Sequence, residues 1–129
     1  MRKALNRPTD TELSILRALW DLGPTTVRKV HEVLAKKQED LAYTAVLRMM
    51  QTMAEKGMLL RDESERSHIY RPSQEREDTQ RGLMDDILDR AFGGNALEML
   101  SAALLGRKMN AKEQAEATRL LAEARKNKE

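Results

Sequence analysis

Residues 43–57 read YTAVLRMMQTMAEKG. At the 3.6-residue helical period, Val46, Met49, Met50 and Met53 fall on one stripe, the pattern of a helix with one buried face. The opposite side carries Thr44, Arg48, Gln51 and Thr52, where a merely solvated face ordinarily carries Glu and Lys. Short hydroxyls, an amide and a guanidinium can approach another surface closely and exchange hydrogen bonds with it. The neighbours of this helix decide what that surface is.

Upstream, residues 9–23 read TDTELSILRALWDLG. Thr9 and Glu12 have the spacing of a capping box, in which each side chain satisfies an orphan amide of the first turn. Leu13, Leu16 and Trp20 then recur on one helical stripe, widened by Ile15 and Leu19, and Gly23-Pro24 stops it. Residues 25–37, TTVRKVHEVLAKK, open a second helix capped by Thr25 or Thr26, with Val27, Val30 and Leu34 as its buried face. A polar turn over residues 36–42 leads back to the opening helix. Helices of about 12 residues joined by such turns suit a trihelical unit.

Downstream of Gly57 the period changes. MLLRD (58–62) and SHIYR (67–71) read as short strands separated by ESER, with Pro72 ending the second. His68 and Tyr70 are expected on one face of that strand. Three helices followed by a hairpin is the order of a winged helix-turn-helix; a generic α+β domain has the same order of elements. The expected fold class is mainly α with a small β-hairpin: a winged helix-turn-helix domain over residues 1–72 and a helical dimerisation domain over residues 73–129.

That second region is helical again from about residue 75 to 92, broken by Gly93-Gly94-Asn95, then over ALEMLSAALLG, then from a capping-box spacing at Asn110 and Glu113. Met84, Ile87 and Leu88, then Leu97, Leu100 and Leu104, then Leu120 and Leu121 line the apolar sides. Three short helices of about 50 residues have little core of their own. Burial against a second copy is the expected solution, with Met84, Leu88, Leu97, Leu100, Leu104, Leu120 and Leu121 as dimerisation residues. Folding back onto the first half is the competing one.

Composition narrows the function classes. The chain has 129 residues with no Cys, one Trp, two Tyr and one Phe, so disulfides, zinc fingers and iron–sulfur sites are excluded. His31 and His68 have no metal-ligand spacing, no nucleophile–base pair stands out, and Glu55, Asp85, Asp86 and Asp89 read as solvated carboxylates. No catalytic residue, metal or cofactor is expected. No apolar run approaches the roughly 20 residues of a membrane span, and the basic start has no apolar segment behind it. A soluble cytoplasmic protein is the expectation. Residues 1–72 carry 13 Lys and Arg against 10 Asp and Glu, and residues 73–129 carry 10 against 11. This weak asymmetry permits a nucleic-acid partner for the first half without requiring one.

In a helix-turn-helix the second helix of the motif lies in the major groove. Arg can grip guanine, Gln can pair with adenine, and a Thr methyl can meet that of thymine. Thr44, Arg48, Gln51, Thr52 and Glu55 share one arc, bordered by Ala45; an ordinary solvated face has the same period. Arg48 is the first choice for a base or phosphate contact and Thr44 the second. Tyr43, at the helix start, is within reach of a phosphate or of the wing. Arg61, Arg66 and Ser67 of the hairpin are candidate phosphate contacts, against which Asp62, Glu63 and Glu65 argue.

LSILRALWDLGPTTVRKVHEVL, followed by LAYTAVLRMMQTMAEKGMLLRDESERSHIYRP, resembles the penicillinase repressor family of BlaI/MecI-like winged-helix transcriptional regulators. The match includes the Trp20 position, the Gly-Pro turn, the Tyr-Thr opening of the third helix and the Tyr-Arg-Pro ending of the wing, and it continues more weakly to the last helices. The resemblance implies a homodimeric repressor on two-fold related operator DNA, with groove contacts at Thr44, Ala45, Arg48 and Thr52. It implies β-lactamase or cell-wall-stress genes as targets and a sensor-linked protease as inactivating partner. Where the best-known members are cut at an Asn-Phe pair, this chain reads LSAALLG, with Ala103-Leu104 near the matching place. The copper-responsive branch carries C-terminal cysteines, and this chain has none. From the residues alone, a winged helix used as a protein-interaction module and a small-molecule-responsive regulator are the alternatives.

Overall fold

Helix α1 (Asp10–Leu22) begins where the capping box predicts. The computed structural model, which describes residues 7–37, 40–106 and 109–128, forms both of its bonds. The Glu12 amide donates to Thr9 Oγ1 at 3.2 Å and the Thr9 amide donates to Glu12 Oε1 at 3.0 Å. Gly23 ends the helix at φ +82°, its N–H donating to the Leu19 carbonyl at 2.8 Å. Any side chain there would be strained by the left-handed backbone. Thr26 caps α2 (Val27–Lys36), and α3 spans Tyr43–Glu55. Of the turn expected over residues 36–42, residues 38–39 lie outside the described residues.

Strands β1 (Leu59–Asp62) and β2 (Ile69–Pro72) pair antiparallel, with Leu59 opposite Pro72 and Asp62 opposite Ile69. Two further backbone bonds tie this hairpin to the helices. Thr25 exchanges amide and carbonyl with Tyr70 at 3.1 and 2.8 Å, so the α1–α2 connection adds one rung beside β2. The Ser73 hydroxyl donates to the Gly57 carbonyl at 2.6 Å, closing the hairpin base. The fold is a winged helix-turn-helix followed by three helices, α4 (Arg76–Phe92), α5 (Ala96–Leu105) and α6 (Ala111–Lys128).

Packing divides the chain into residues 1–83 and 84–129, with the boundary inside α4. The first unit holds the core. Ile15, Leu16, Ala18 and Leu19 of α1 meet Val27, Val30 and Leu34 of α2, Val46, Met50 and Met53 of α3, and Leu59 and Tyr70 of the hairpin. Each fully buried large apolar side chain contributes roughly 1.5–3 kcal/mol. α1 differs from its sequence reading. Ile15 and Leu19 lie at the centre of its buried arc, while Leu13 and Trp20 are only half-buried, because α1 packs on α2, α3 and β2 together. The Trp20 indole N–H is buried without a hydrogen-bond partner among the described residues. It borders a shallow cavity of about 300 Å³ lined by Leu13, Arg17, Arg76, Gln80 and Leu83.

Two further expectations are corrected. Met49 sits at the edge of the core rather than in it, since Val46, Met50 and Met53 complete the contact with α2. His68 does not share a strand face with Tyr70. The ladder starts at Ile69, so His68 is exposed in the turn while Tyr70 is 1% exposed.

The second unit contains the end of α4 with α5 and α6. Gly93 and Gly94, at φ +57° and +83°, terminate α4. Asn95 caps α5, its side chain accepting from the Glu98 amide at 3.0 Å, and Asn110 and Glu113 form a reciprocal capping box at the start of α6. No residue of α4 or α5 is buried. Leu97 is 72% and Leu105 86% exposed, and Met84, Ile87, Leu100, Leu120 and Leu121 are exposed as well; Leu88 and Leu104 are half-buried.

Candidate nucleic-acid interface

The outward face of α3 stands on a rigid base. Val46, Met50 and Met53 are fully buried, which fixes the rotation of the helix and turns Thr44, Arg48, Gln51, Thr52 and Glu55 to the surface. Ala45 borders them, half-buried. Arg48 makes no ion pair among the described residues. An exposed guanidinium without a carboxylate partner, between two threonines and a glutamine, is free to bind an acceptor brought to it.

No side chain caps α3; its N-cap is Ala42. Beside this end stands a small aromatic cluster. The Tyr43 ring meets the His31 ring edge-on, with centroids 5.8 Å apart and planes at 88°, and the Arg28 guanidinium carbon lies 5.9 Å from the Tyr43 centroid. His31 Nε2 is 2.9 Å from the Leu41 carbonyl, to which it donates. Tyr43 therefore rests on α2, not on the wing, and remains 39% exposed.

The hairpin residues separate into two kinds. Arg61 is already engaged, its Nε 2.7 Å from a Glu63 carboxylate oxygen. A hydrogen bond with Tyr70 and the Glu63 charge hold its pKa above the ordinary value. Arg66 and Ser67 are exposed in the turn and make no such contact among the described residues. Asp62 accepts from the Ser64 amide at 2.9 Å, and that bond keeps its carboxyl ionised below the usual range. The wing tip thus holds fixed negative charge close to its free arginine.

A third group braces α3 from behind. Lys56, its C-cap residue, contacts Glu12 Oε2 at 2.9 Å, joining the end of α3 to the start of α1. Burial alone would push the Glu12 carboxyl up. The Lys56 ammonium and the Thr9 amide outweigh it and hold the pKa below 4.5.

Tyr43, Thr44, Ala45, Arg48, Gln51 and Thr52 all belong to α3, with Thr44, Arg48, Gln51 and Thr52 exposed, while Arg61, Arg66 and Ser67 belong to the hairpin. Residues 8–123 match the family model for penicillinase repressors. The chain belongs to the penicillinase repressor family. Among curated proteins, the transcriptional regulator BlaI of Mycobacterium tuberculosis, from strains CDC 1551 / Oshkosh and ATCC 25618 / H37Rv, is 40% identical to it over 88 residues. That stretch is 67% of this chain and 63% of each relative's length.

Within this penicillinase repressor family member, sequence reading passed over Arg28, the Glu12–Lys56 pair and the Thr25–Tyr70 rung. Arg28 and His31 stand one turn apart on α2, a spacing visible in the sequence, but their common neighbour Tyr43 is brought to them only by the turn. No group of three or more His, Cys, Asp or Glu residues converges as a metal site among the described residues. No helix among them is long and apolar enough to cross a membrane.

Proposed function

We propose that the chain is a transcriptional repressor that binds double-stranded operator DNA as a homodimer. The observation that carries this reading is the α3 face. Thr44, Arg48, Gln51 and Thr52 are exposed together on a helix locked by its buried side, and Arg48 has no ion-pair partner among the described residues. This is the chemistry that reads base edges in a major groove. Membership of the penicillinase repressor family supports the same reading.

Residues 1–72 act as the DNA-binding part and residues 73–129 as the dimerisation part. The exposed Leu97, Leu100, Leu120 and Leu121, with Met84 and the half-buried Leu88 and Leu104, support an interface with a second copy. Two α3 helices held about 34–36 Å apart, or a multiple of it, would enter successive major grooves on one side of a two-fold operator. Occupancy there blocks polymerase. Loosening the dimer releases DNA because each half-site contact then loses the effective concentration supplied by the other. β-Lactamase or cell-envelope stress genes are the proposed targets. A sensor-linked protease is the proposed inactivating partner, with residues 103–104 in the region to probe.

Footprinting of purified protein across genomic DNA, paired with sedimentation equilibrium, tests the proposal. Protected sites with two-fold symmetry and a dimer mass are expected. A monomer that protects no site would overturn it. Glu63 and Glu65 at the wing tip favour one other reading, a winged helix that docks a protein through α3. Binding to duplex DNA that falls steeply with salt excludes that reading.

A further inference from the structure

The cluster between α2 and α3 has a role that neither core packing nor base reading explains. Arg28 is the second residue of α2 and is exposed, yet its guanidinium is drawn over the Tyr43 ring, 5.9 Å from the centroid. That is cation–π range. It makes no ion pair among the described residues; the nearby Glu32 lies 4.0 Å from Lys29 instead. His31 also meets the ring, edge-on at 5.8 Å, and its Nε2–H bond to the Leu41 carbonyl anchors the chain just before Tyr43.

An exposed arginine ordinarily samples many rotamers, and ordering it on binding costs free energy. Here a ring already restricts it beside the uncapped first turn of α3, with Thr44 next along the exposed face. A planar guanidinium held in that way suits a phosphodiester oxygen more than a base edge, because phosphate contacts set register and need only charge and fork geometry. We propose that Arg28 is a DNA-phosphate contact and that Tyr43 and His31 are the residues positioning it. Tyr43 then contributes through its ring face rather than through its hydroxyl. The inference rests on the DNA-binding reading above.

The test is a salt titration of full-length protein on a fluorescein-labelled, mixed-sequence duplex, followed by anisotropy. Phosphate contacts alone set the slope of log affinity against log salt, so no operator is needed. Arg28→Ala is expected to lower the magnitude of that slope by about 0.9, the share of one phosphate. Arg28→Lys keeps the slope because it keeps the charge. Tyr43→Phe retains wild-type affinity, whereas Tyr43→Ala weakens binding several-fold. Combining Tyr43→Ala with Arg28→Ala weakens it no further than Arg28→Ala alone. An unchanged slope in Arg28→Ala overturns the inference, as do additive losses in the double variant or a Tyr43→Phe variant as weak as Tyr43→Ala. All these outcomes leave the DNA reading standing. Absence of salt-dependent duplex binding by the wild-type protein removes both. Unchanged far-UV circular dichroism confirms that the exposed Arg28 variants remain folded.

Discussion

Residues 1–83 and residues 84–129 both contain helices that carry large apolar residues, yet they dispose of those side chains in opposite ways. In the first unit Ile15, Leu19, Val30, Leu34, Val46, Met50 and Met53 are at most 1% exposed. In the second, Leu97 and Leu105 stand 72% and 86% exposed, and no residue of α5 is buried. Apolar periodicity specifies which side of a helix seeks burial; it does not specify whether the partner lies in the same chain. The hairpin and the Thr25–Tyr70 rung close the first unit around its core. The second has no such lid, which is the physical ground for proposing a second copy as its complement.

The largest effect should come from the closed core. Leu19→Ala should cost about 2–5 kcal/mol in urea unfolding, because the cavity left among α1, α2 and β2 cannot fully collapse. Leu97→Ala tests the other half. It should change the unfolding of residues 1–83 by less than about 0.5 kcal/mol while shifting the monomer–dimer balance measured by sedimentation. An equal loss of core stability in both variants would erase the contrast between the two units.

Arg48→Ala should weaken operator binding by about 1–3 kcal/mol and relax preference at one base position in a gel-shift titration, with no change in melting temperature. Unchanged affinity together with unchanged sequence preference would remove Arg48 from the interface.

Glu12→Gln should cost about 1–2 kcal/mol, since it weakens a capping box and the contact with Lys56 at once. The sign with pH follows from the lowered Glu12 pKa. The folded state binds this proton less readily than the unfolded chain does. The stabilisation is therefore full above 4.5 and is lost as pH falls through the lower folded value. The gap between wild type and variant should shrink correspondingly when urea midpoints near pH 7 and about pH 3 are compared.

A purely local effect is expected at Gly23. A Cβ there meets nothing within 4 Å, so Gly23→Ala should cost only the strain of a backbone at φ +82° and ψ −178°, about 1–3 kcal/mol, read as a fall in melting temperature. A much larger loss would mean that the turn bears on the hairpin rung as well.

Much of this was legible before any coordinates. Thr9 and Glu12, Gly23-Pro24 and Thr26 carry local instructions, because a cap or a positive φ depends on residues within one turn. The exposed arc of α3 was equally readable, since Val46, Met50 and Met53 define its opposite. The misreadings share one cause. Leu13 and Trp20 looked central on the α1 stripe, but the packing of α1 on three elements moved the buried arc toward Ile15 and Leu19. His68 looked like a strand residue until the register placed the first ladder pair at Asp62 and Ile69.

By itself the sequence determined the order of elements, the ends of the helices and the chemical character of their sides, because these follow from interactions over three or four residues. Tertiary structure alone decided what distant residues do together. It tied Glu12 to Lys56 across 44 positions, placed Arg61 opposite Tyr70 in the hairpin, and set Arg28 on the ring of Tyr43. Those pairings arise from how elements stack, and stacking is settled by the whole core at once.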